Sequence, residues 1–591
     1  MPRPKGSLNK HKAKWSPEKR AEASERMKKR HAEKKAAELD KAGVDVAAAK
    51  LPATVSNVSP KVMTKAKLDY ILRHDVVSWC IAHQIYLPSA GKVFSLDGHE
   101  YLDDPYTVNA PLMVFEKGAQ LGFSERAVLK SLHDCLFRLK VGLIYYFPTK
   151  GDVTDFSKAR FGPLINDNAI FGQVIKDTDS ANIKRVGKCM LYLRGLRSAI
   201  SAKSAPADKL VFDEIDEAPP EMVDLARKRL DHSEFQEVEV LSTPTIPDYG
   251  VDSWFQLTDQ RYRQIFCEAC NTYTCLEKDF PECLIVTKDG AKRVCKKCKK
   301  ELDLHSPRNE YVAEYPNREY NGRKAIGFRI SQLHSLYVNL NQLWDDYQNT
   351  KFPADFYNSR LAQPYIDASN RLEVGHVLGL CGTHGMDFHS KEPCAIGVDI
   401  GPDKHNVVIG RKEYGGNYRI TYIGETDWAG LDLMISRYNG SLVLDGMPEP
   451  ERAKDLAARN PYKVWACFYS RSGAVDVKWN DAEHSVRIYQ SQAMDASHAL
   501  LQMGKIILPA KSDVVTTFAK HCHNVARKKV EDEETGDIRY QWIKLGADHY
   551  RKAFNFMVLA GERTSESTYT SYGSMGHIAN YNDDFVSSYG W

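Results

Sequence analysis

The sequence predicts an α/β protein of two domains in series, the first carrying a cysteine-rich insert. Three observations predict it. Short apolar runs alternate with amphipathic helices from about residue 65 to 260, and again from Cys394 to about Gly561. Several of these runs end in acids or hydroxyls, at the strand ends where ligands of open α/β sheets bind. Between the two stretches stand two CxxC pairs, Cys267/Cys270 and Cys295/Cys298.

Bulk properties agree with this division. A chain of 591 residues exceeds one core. Hydrophobic content of 43% and charged content of 27% are ordinary for a globular protein. No apolar run approaches the ~18–20 residues that span a bilayer, and the longest, Val141 to Phe147, is strand-sized. The N-terminus lacks the apolar core of a secretion signal. The expectation is therefore a reducing cytoplasm, where the 13 cysteines serve metal binding or burial rather than a disulfide framework. Net charge is +4, but the first fifty residues carry 15 Lys/Arg against seven Asp/Glu, leaving the remainder mildly acidic.

Residues 1–60 read as a basic arm. Pro2-Arg3-Pro4-Lys5-Gly6 resembles an AT-hook, which lies in an A·T minor groove. Ser16-Pro17-Glu18 then opens a helix, to about Ala37, that is polar all round. The arm is either a solubilising tail or a DNA contact. The first α/β domain occupies 61–261, the cysteine insert 262–305, and a helical completion of the first domain 306–365, with helix expected from near Ile326 to about Leu361. A connector spans 366–393, the second α/β domain 394–561, and a flexible tail rich in Ser, Thr, Tyr, Gly and Asn 562–591.

In the first domain, the strand Pro111 to Phe115 runs through Glu116 into Lys117-Gly118-Ala119-Gln120-Leu121-Gly122-Phe123-Ser124, and a helix with Val128, Leu129, Leu132 and Cys135 on one face follows. Strand, small-residue loop, helix is the context of a phosphate-binding P-loop, whose N–H groups and helix N-terminus hold phosphate oxygens. Phe123 stands where the common loop has lysine. Lys117, at the loop's start, supplies the missing cation by folding over, and Ser124 offers a hydroxyl to Mg²⁺. About ninety residues on, Leu210-Val211-Phe212-Asp213-Glu214 is an apolar strand ending in two acids. Asp213 is placed to hold Mg²⁺ and Glu214 to polarise the attacking water. Asp216 and Glu217 follow, which leaves the identity of the base open. The strand Val238 to Leu241 delivers Ser242 and Thr243, hydroxyls suited to sensing a γ-phosphate.

In the insert, two CxxC turns present four thiolates, Cys267, Cys270, Cys295 and Cys298, as a closed Cys₄ zinc ribbon with no open position for water. Cys275 and Cys283 compete for a ligand place. Lysines 296, 297, 299 and 300 flank it and offer phosphate contacts.

In the second domain, Cys394 to Ile400 is an apolar strand carrying Asp399. Two more strands, a helix and then Ser441 to Gly446, which carries Asp445, follow. Three antiparallel strands, a helix and a parallel fourth strand is the RNase H-like order, which makes the first and fourth strands neighbours. Asp399 and Asp445 then converge and call for Mg²⁺ or Mn²⁺. Asp548, opening the last helix in Gly546-Ala547-Asp548-His549-Tyr550, completes a two-metal triad. Asp495 reads as a helix cap or surface acid.

Taken together these motifs resemble the tailed-phage terminase large subunits. Lys117 to Glu125 resembles their deviant Walker A loop, with lysine at its start, and is most similar to the lambda-type branch, where an aromatic can occupy the position of Phe123. Tyr145-Tyr146-Phe147-Pro148-Thr149, the basic Lys158-Ala159-Arg160, Ser242-Thr243-Pro244, the cysteine knuckles, Gly504 to Pro509 and Gly546 to Tyr550 resemble further segments of that family. The resemblance covers most of residues 65–560. It implies an ATP-driven motor, acting as a homo-oligomeric ring in the host cell cytoplasm, that moves double-stranded DNA into a capsid. It also implies a nuclease that cuts concatemeric DNA, and as partners a small terminase subunit and the portal protein, with no membrane. Arg160 is the candidate to act on a neighbour's ATP. Two other readings remain: a zinc-dependent DNA-binding assembly factor with an inactive P-loop, for which Phe123 speaks, and a helicase- or transposase-type ATPase–nuclease.

Overall fold

A computed structural model describes residues 65–175, 182–203, 205–350, 353–367, 369–413, 416–470, 477–531 and 538–569. The readings made for the basic arm fall outside this range. The described chain forms two compact units that divide between Tyr365 and Ile366. No described helix is long and apolar enough to cross a membrane.

The first unit is built on an 11-stranded sheet. Its principal elements are β1 (Leu112–Lys117), α1 (Phe123–Phe137), β2 (Gly142–Phe147), β3 (Ile183–Val186), β4 (Cys189–Gly195), β5 (Lys209–Asp213), β6 (Glu237–Ser242), β7 (Arg261–Cys267), β8 (Thr272–Cys275) and β9 (Arg323–Ile330). The spatial order is β8-β7-β9-β1-β6-β5-β2-β4-β3. From β7 to β4 every neighbouring pair is parallel; the outer strands β8 and β3 pair antiparallel. Strands buried on both faces read as continuous apolar runs, and β1, β2 and β5 are buried along their whole length. Because β1, β5 and β6 are adjacent and parallel, their carboxyl ends lie side by side. This topology brings together Lys117, Asp213 and Ser242, which are far apart in sequence.

The stretch around Ile326 is a strand, β9, where the sequence suggests helix. Ala325 pairs with Leu112 and Ile330 with Lys117, so a parallel partner some two hundred residues away decides the conformation. Gly327 permits close packing: a Cβ there would overlap Thr258 and Phe255. The longer helices follow at α2 (Leu340–Asn349) and α3 (Pro353–Leu361). In the cysteine insert, a hairpin joins Leu284–Thr287 to Gly290–Arg293. The insert shares one apolar cluster with Leu333, Leu343 of α2, and Phe356 and Leu361 of α3.

The second unit is an eight-stranded sheet. Strands β10 (Ser390–Asp399), β11 (His405–Lys412) and β12 (Tyr418–Thr426) are antiparallel. Helix α4 (Trp428–Arg437) then leads to β13 (Tyr438–Asp445), which runs parallel to β10 on its other side. Strand β14 (Val464–Ser470) extends the parallel part. The last helix, α5 (His549–Tyr569), lies against β10. Gly397 lets it approach, since a Cβ there would overlap the backbone of Ala553 and Met557. Helix α5 continues through 562–569, residues expected to begin a flexible tail. Arg563 packs over Trp465 and Trp479, and the Thr564 hydroxyl donates to the carbonyls of Ala560 and Cys394.

Candidate functional site

At the end of β1 the chain turns through Gln120 and Gly122, both at positive φ (58° and 81°), and enters α1 without a side-chain cap. The first N–H groups of a helix have no intrahelical partner, so those of Phe123 and Ser124, like that of the N-cap Gly122, lie outside the helix's own ladder. The start of the loop is tethered instead. Gly118 N–H donates to Ile330 O and Ala119 N–H to Ser359 O, each at 2.8 Å. The Ala119 carbonyl accepts from Gln332 Nε2 (2.9 Å), and that of Leu121 from the Tyr101 hydroxyl (3.2 Å). Phe123 points away, into the core beside Phe115, with ring centroids 5.3 Å apart, and is 1% exposed.

Lys117 reaches across this gap. Its Nζ lies 2.7 Å from Glu214 Oε1. The other carboxylate oxygen, Oε2, accepts from the Ser242 hydroxyl (3.1 Å) and Thr243 N–H (3.2 Å). Glu214 holds a left-handed backbone (φ 53°), a conformation that costs about 1–3 kcal/mol in a non-glycine residue and turns the side chain toward the loop. The Glu214 side chain is 44% exposed, so water reaches it. Asp213 accepts from the Tyr145 hydroxyl at Oδ2 (2.6 Å) and from Ser124 Oγ at Oδ1 (3.4 Å). Burial works against Lys117's charge, but the Glu214 and Asp213 carboxylates outweigh it and hold the ammonium above its usual range. Asp213 is pushed up to about 6 by burial and by Glu214. Desolvation at the site works against the Glu214 charge, but Lys117 and the donors of residues 242 and 243 outweigh it and hold Glu214 below the usual carboxylate range.

Asp216 is used elsewhere. It accepts from Thr245 N–H and Oγ1 and from Val251 N–H, pinning the turn after β6. Glu214 is the acid that pairs with Lys117 at the start of the loop. Arg160 lies 3.4 Å from Glu125, one residue beyond Ser124, and its side chain is 42% exposed. Gln332 and Tyr101 escaped the sequence reading, and Tyr145 entered it only within the segment Tyr145 to Thr149, not for its bond to Asp213. Tyr145 lay visible in the strand beside the Asp213 strand; Gln332 and Tyr101 reach the loop from distant segments and left no local signal.

In the insert, Cys267, Cys270, Cys295 and Cys298 bring all four sulfurs within 4.8 Å of one another. Cys267–Cys298 and Cys270–Cys295 are each 3.5 Å apart. A tetrahedral zinc with Zn–S of about 2.3 Å needs sulfurs about 3.8 Å apart, so the donor set fits that ion. Cys275 and Cys283 turn elsewhere, toward Glu277 and the Leu276 carbonyl.

In the second unit, Val398 pairs with Leu444, so Asp399 and Asp445 follow side by side at the end of adjacent parallel strands, whose backbones are spaced about 5 Å apart. Both lie on the face shared by Ala395 and Val443, which α5 covers. Burial, and then the neighbouring Asp399 charge, raise Asp445 to about 6 although Met447 N–H donates to it. Asp399 is 2% exposed; it meets His549 Nδ1 at 2.9 Å and Lys552 Nζ at 4.0 Å. Asp548 immediately precedes α5 and pairs with Lys544 at 2.8 Å. The three acids do not meet as a ready ligand group: among the described residues, the His, Cys, Asp and Glu groups that converge so are the four cysteines and the exposed set Asp97, Glu100 and His305. Asp495 accepts from Trp542 Nε1 (2.9 Å) and lies 3.4 Å from Arg527, away from the triad.

Residues 100–313 match the family model described as phage terminase large subunit gpA, ATPase domain. No curated protein matches the chain. Among solved structures, the large terminase of bacteriophage HK97 aligns at 12% identity and a TM-score of 0.45, covering 82% of this chain and 99% of that one. The large terminase of a thermophilic bacteriophage aligns at 12% identity and 0.27, covering 78% and 97%. The large terminase nuclease of the thermophilic phage G20c, with bound magnesium, aligns at 13% and 0.22, covering 33% and 98%. No residue role is carried over from alignments this distant.

Proposed function

With residues 100–313 belonging to the ATPase domain of phage terminase large subunits as the premise, we propose that the chain is a DNA-packaging motor: an ATPase in the first unit and a divalent-metal-dependent DNA endonuclease in the second. One observation carries the ATPase reading. Lys117 and Glu214 meet at 2.7 Å beside a loop that enters its helix without a side-chain cap, which supports reading them as the cation and base of a phosphate site although the usual loop lysine is absent.

The chain's own groups then divide the work. The N–H groups of residues 122–124 receive phosphate oxygens. Lys117 exchanges Glu214 for phosphate and takes the place of the lysine missing at 123. Glu214, released from Lys117, stays held by Ser242 and Thr243 and orients the attacking water. The Ser124 hydroxyl and Asp213 carboxylate are the groups to hold Mg²⁺, which supplies charge neutralisation to the phosphates when bound. Tyr145 fixes the Asp213 carboxylate from behind. Arg160, half-exposed beside the loop, is the arginine offered to a neighbouring subunit's ATP in a homo-oligomeric ring.

In the second unit Asp399 and Asp445 form a carboxylate pair suited to Mg²⁺ or Mn²⁺, with Asp548 joining them by exchanging its Lys544 pair. The four cysteines hold a structural zinc. Double-stranded DNA, a small terminase subunit and the portal protein are the partners this reading entails, in the host cytoplasm. The inactive-loop alternative loses its main support, because Phe123 serves the core while Lys117 fills the cation position.

One preparation of the full chain tests the reading. Glu214→Gln should abolish ATP turnover and leave Mn²⁺-dependent plasmid cleavage intact; Asp399→Asn should do the reverse. A wild-type protein, folded and metal-loaded, that neither hydrolyses ATP nor cuts DNA would overturn it.

A further inference from the structure

Residues 331–335 form a tight turn between β9 and α2, and the cysteine insert grips it from two sides. Glu277 of the insert is fully buried. Its Oε1 accepts from Ser331 N–H (2.9 Å) and Ser331 Oγ (2.8 Å), and lies 2.8 Å from His334 Nε2. Arg293, two residues before Cys295, donates through Nε to the Leu333 carbonyl (2.5 Å) and through Nη2 to that of Ser335 (2.6 Å). The turn in turn holds the phosphate loop. Ile330 O, just before it, accepts from Gly118 N–H, and Gln332 Nε2 donates to the Ala119 carbonyl. Gln332 is itself fixed by Arg360 Nη1 at its Oε1 (2.9 Å). The route from the cysteine cluster to the loop's first two residues thus consists of direct hydrogen bonds, buried at Glu277 and partly buried elsewhere.

We propose that the insert sets the shape of the phosphate loop: Glu277 and Arg293 are positioning residues that act through the 331–335 turn, and Gln332 delivers their effect to Ala119. This rests on the nucleotide reading above. Its chemical basis is that a phosphate cradle needs its N–H groups aimed before the ligand arrives, and the loop's own sequence does not aim them. Gly118 and Ala119 open the loop, and the contacts that hold them come from outside it. A charged partner at a buried turn gives a stronger and more directional hold than a neutral one. A ribbon ordered by its metal, or displaced by a bound partner, would then change how well the loop binds ATP without touching the nucleotide.

The test is steady-state ATP hydrolysis by the full, zinc-loaded chain, comparing wild type, Glu277→Gln, Gln332→Leu and the double variant. The expected result is a KM for ATP raised about tenfold in each single variant, with kcat at saturating ATP within about twofold of wild type. Zinc content and melting temperature of Gln332→Leu should match wild type. The double variant should be no worse than the poorer single one, since both act along one route. Should Glu277→Gln fail to fold, Arg293→Lys takes its place, keeping charge while losing the fork that spans two carbonyls. An unchanged KM in the single variants, or additive effects in the double, overturns the proposal. Wild-type protein that hydrolyses no ATP removes the nucleotide reading itself, and this inference with it.

Discussion

Lys117 Nζ and Glu214 Oε1 lie 2.7 Å apart, joining the start of the phosphate loop to the end of the acidic strand. In the proposed reading this pair joins the loop's cation to its base. Lys117→Ala should therefore remove a charge-assisted contact to phosphate, worth about 10- to 100-fold in affinity, and also release Glu214 from its partner. Titration with a fluorescent ATP analogue reads the first effect. Unchanged affinity would mean that Lys117 serves only the carboxylate.

Phe123→Lys would restore the common loop sequence, yet it should harm the protein. The side chain is 1% exposed, tilted against Phe115, in the core that also contains Ala127 and Val128. Losing a buried aromatic ring costs about 3–5 kcal/mol, and a buried ammonium adds to that. Denaturant unfolding should show a loss of at least about 3 kcal/mol, with no gain in ATPase activity. A variant as stable as wild type would show that position 123 can turn outward.

The core groups of both sites were legible because each is a local pattern: an apolar strand closed by an acid, a glycine loop before a helix, a paired CxxC. What escaped depends on contacts between distant segments. The direction of Phe123 is decided by Phe115, which it meets in space and which stacks in turn on Phe328. Strand β9 looked helical because its partner β1 lies far upstream. Gln332 meets Ala119 across 213 positions of sequence. The clasp of His549 on Asp399 spans 150. The proximity of Asp399 and Asp445, by contrast, followed from the order of strands alone.

Metal removal should destabilise the first unit beyond the insert. The cysteine cluster shares its apolar contacts with Leu333, Phe356 and Leu361, so the ribbon does not melt alone. We expect about one zinc per chain. Cys270→Ser or strong chelation should lower the melting temperature by roughly 10 °C, the effect of a few kcal/mol on a unit of this size. Full stability without bound zinc would reduce the cluster to four neighbouring thiols.

Acid should weaken the same region through Glu277 and His334. Burial opposes the Glu277 charge, but His334 and Ser331 outweigh it and hold the carboxyl at about 2, below its ordinary 4.5. Burial lowers His334. For both groups the unfolded chain takes up its proton at higher pH than the folded one. Stability is thus greatest near neutrality. It falls as pH drops below about 6.5 through His334, then further between about 4.5 and 2 through Glu277, the latter part worth about 3 kcal/mol. Unfolding free energies measured from about pH 7 to about pH 3 should show this decline, and Glu277→Gln should flatten the acid limb. A wild-type profile flat across that range would remove the pair from the stability of the unit.

Lys544 and Asp548 give the sharpest test of the nuclease site. Asp399 and Asp445 already stand together on neighbouring strands, whereas the third acid is engaged by Lys544 at 2.8 Å. A cation bound by all three carboxylates must compete with that ammonium. The Lys544 side chain is 54% exposed, so the competing pair contributes at most about 1 kcal/mol. Lys544→Ala should accordingly lower the Mn²⁺ concentration for half-maximal plasmid cleavage by up to about fivefold, while Asp445→Asn and Asp548→Asn raise it or abolish cutting. A higher Mn²⁺ requirement in Lys544→Ala would assign the lysine to DNA phosphate instead. Asp548→Asn that cuts like wild type would leave the site with two acids and send the search for the third to other residues around Asp399.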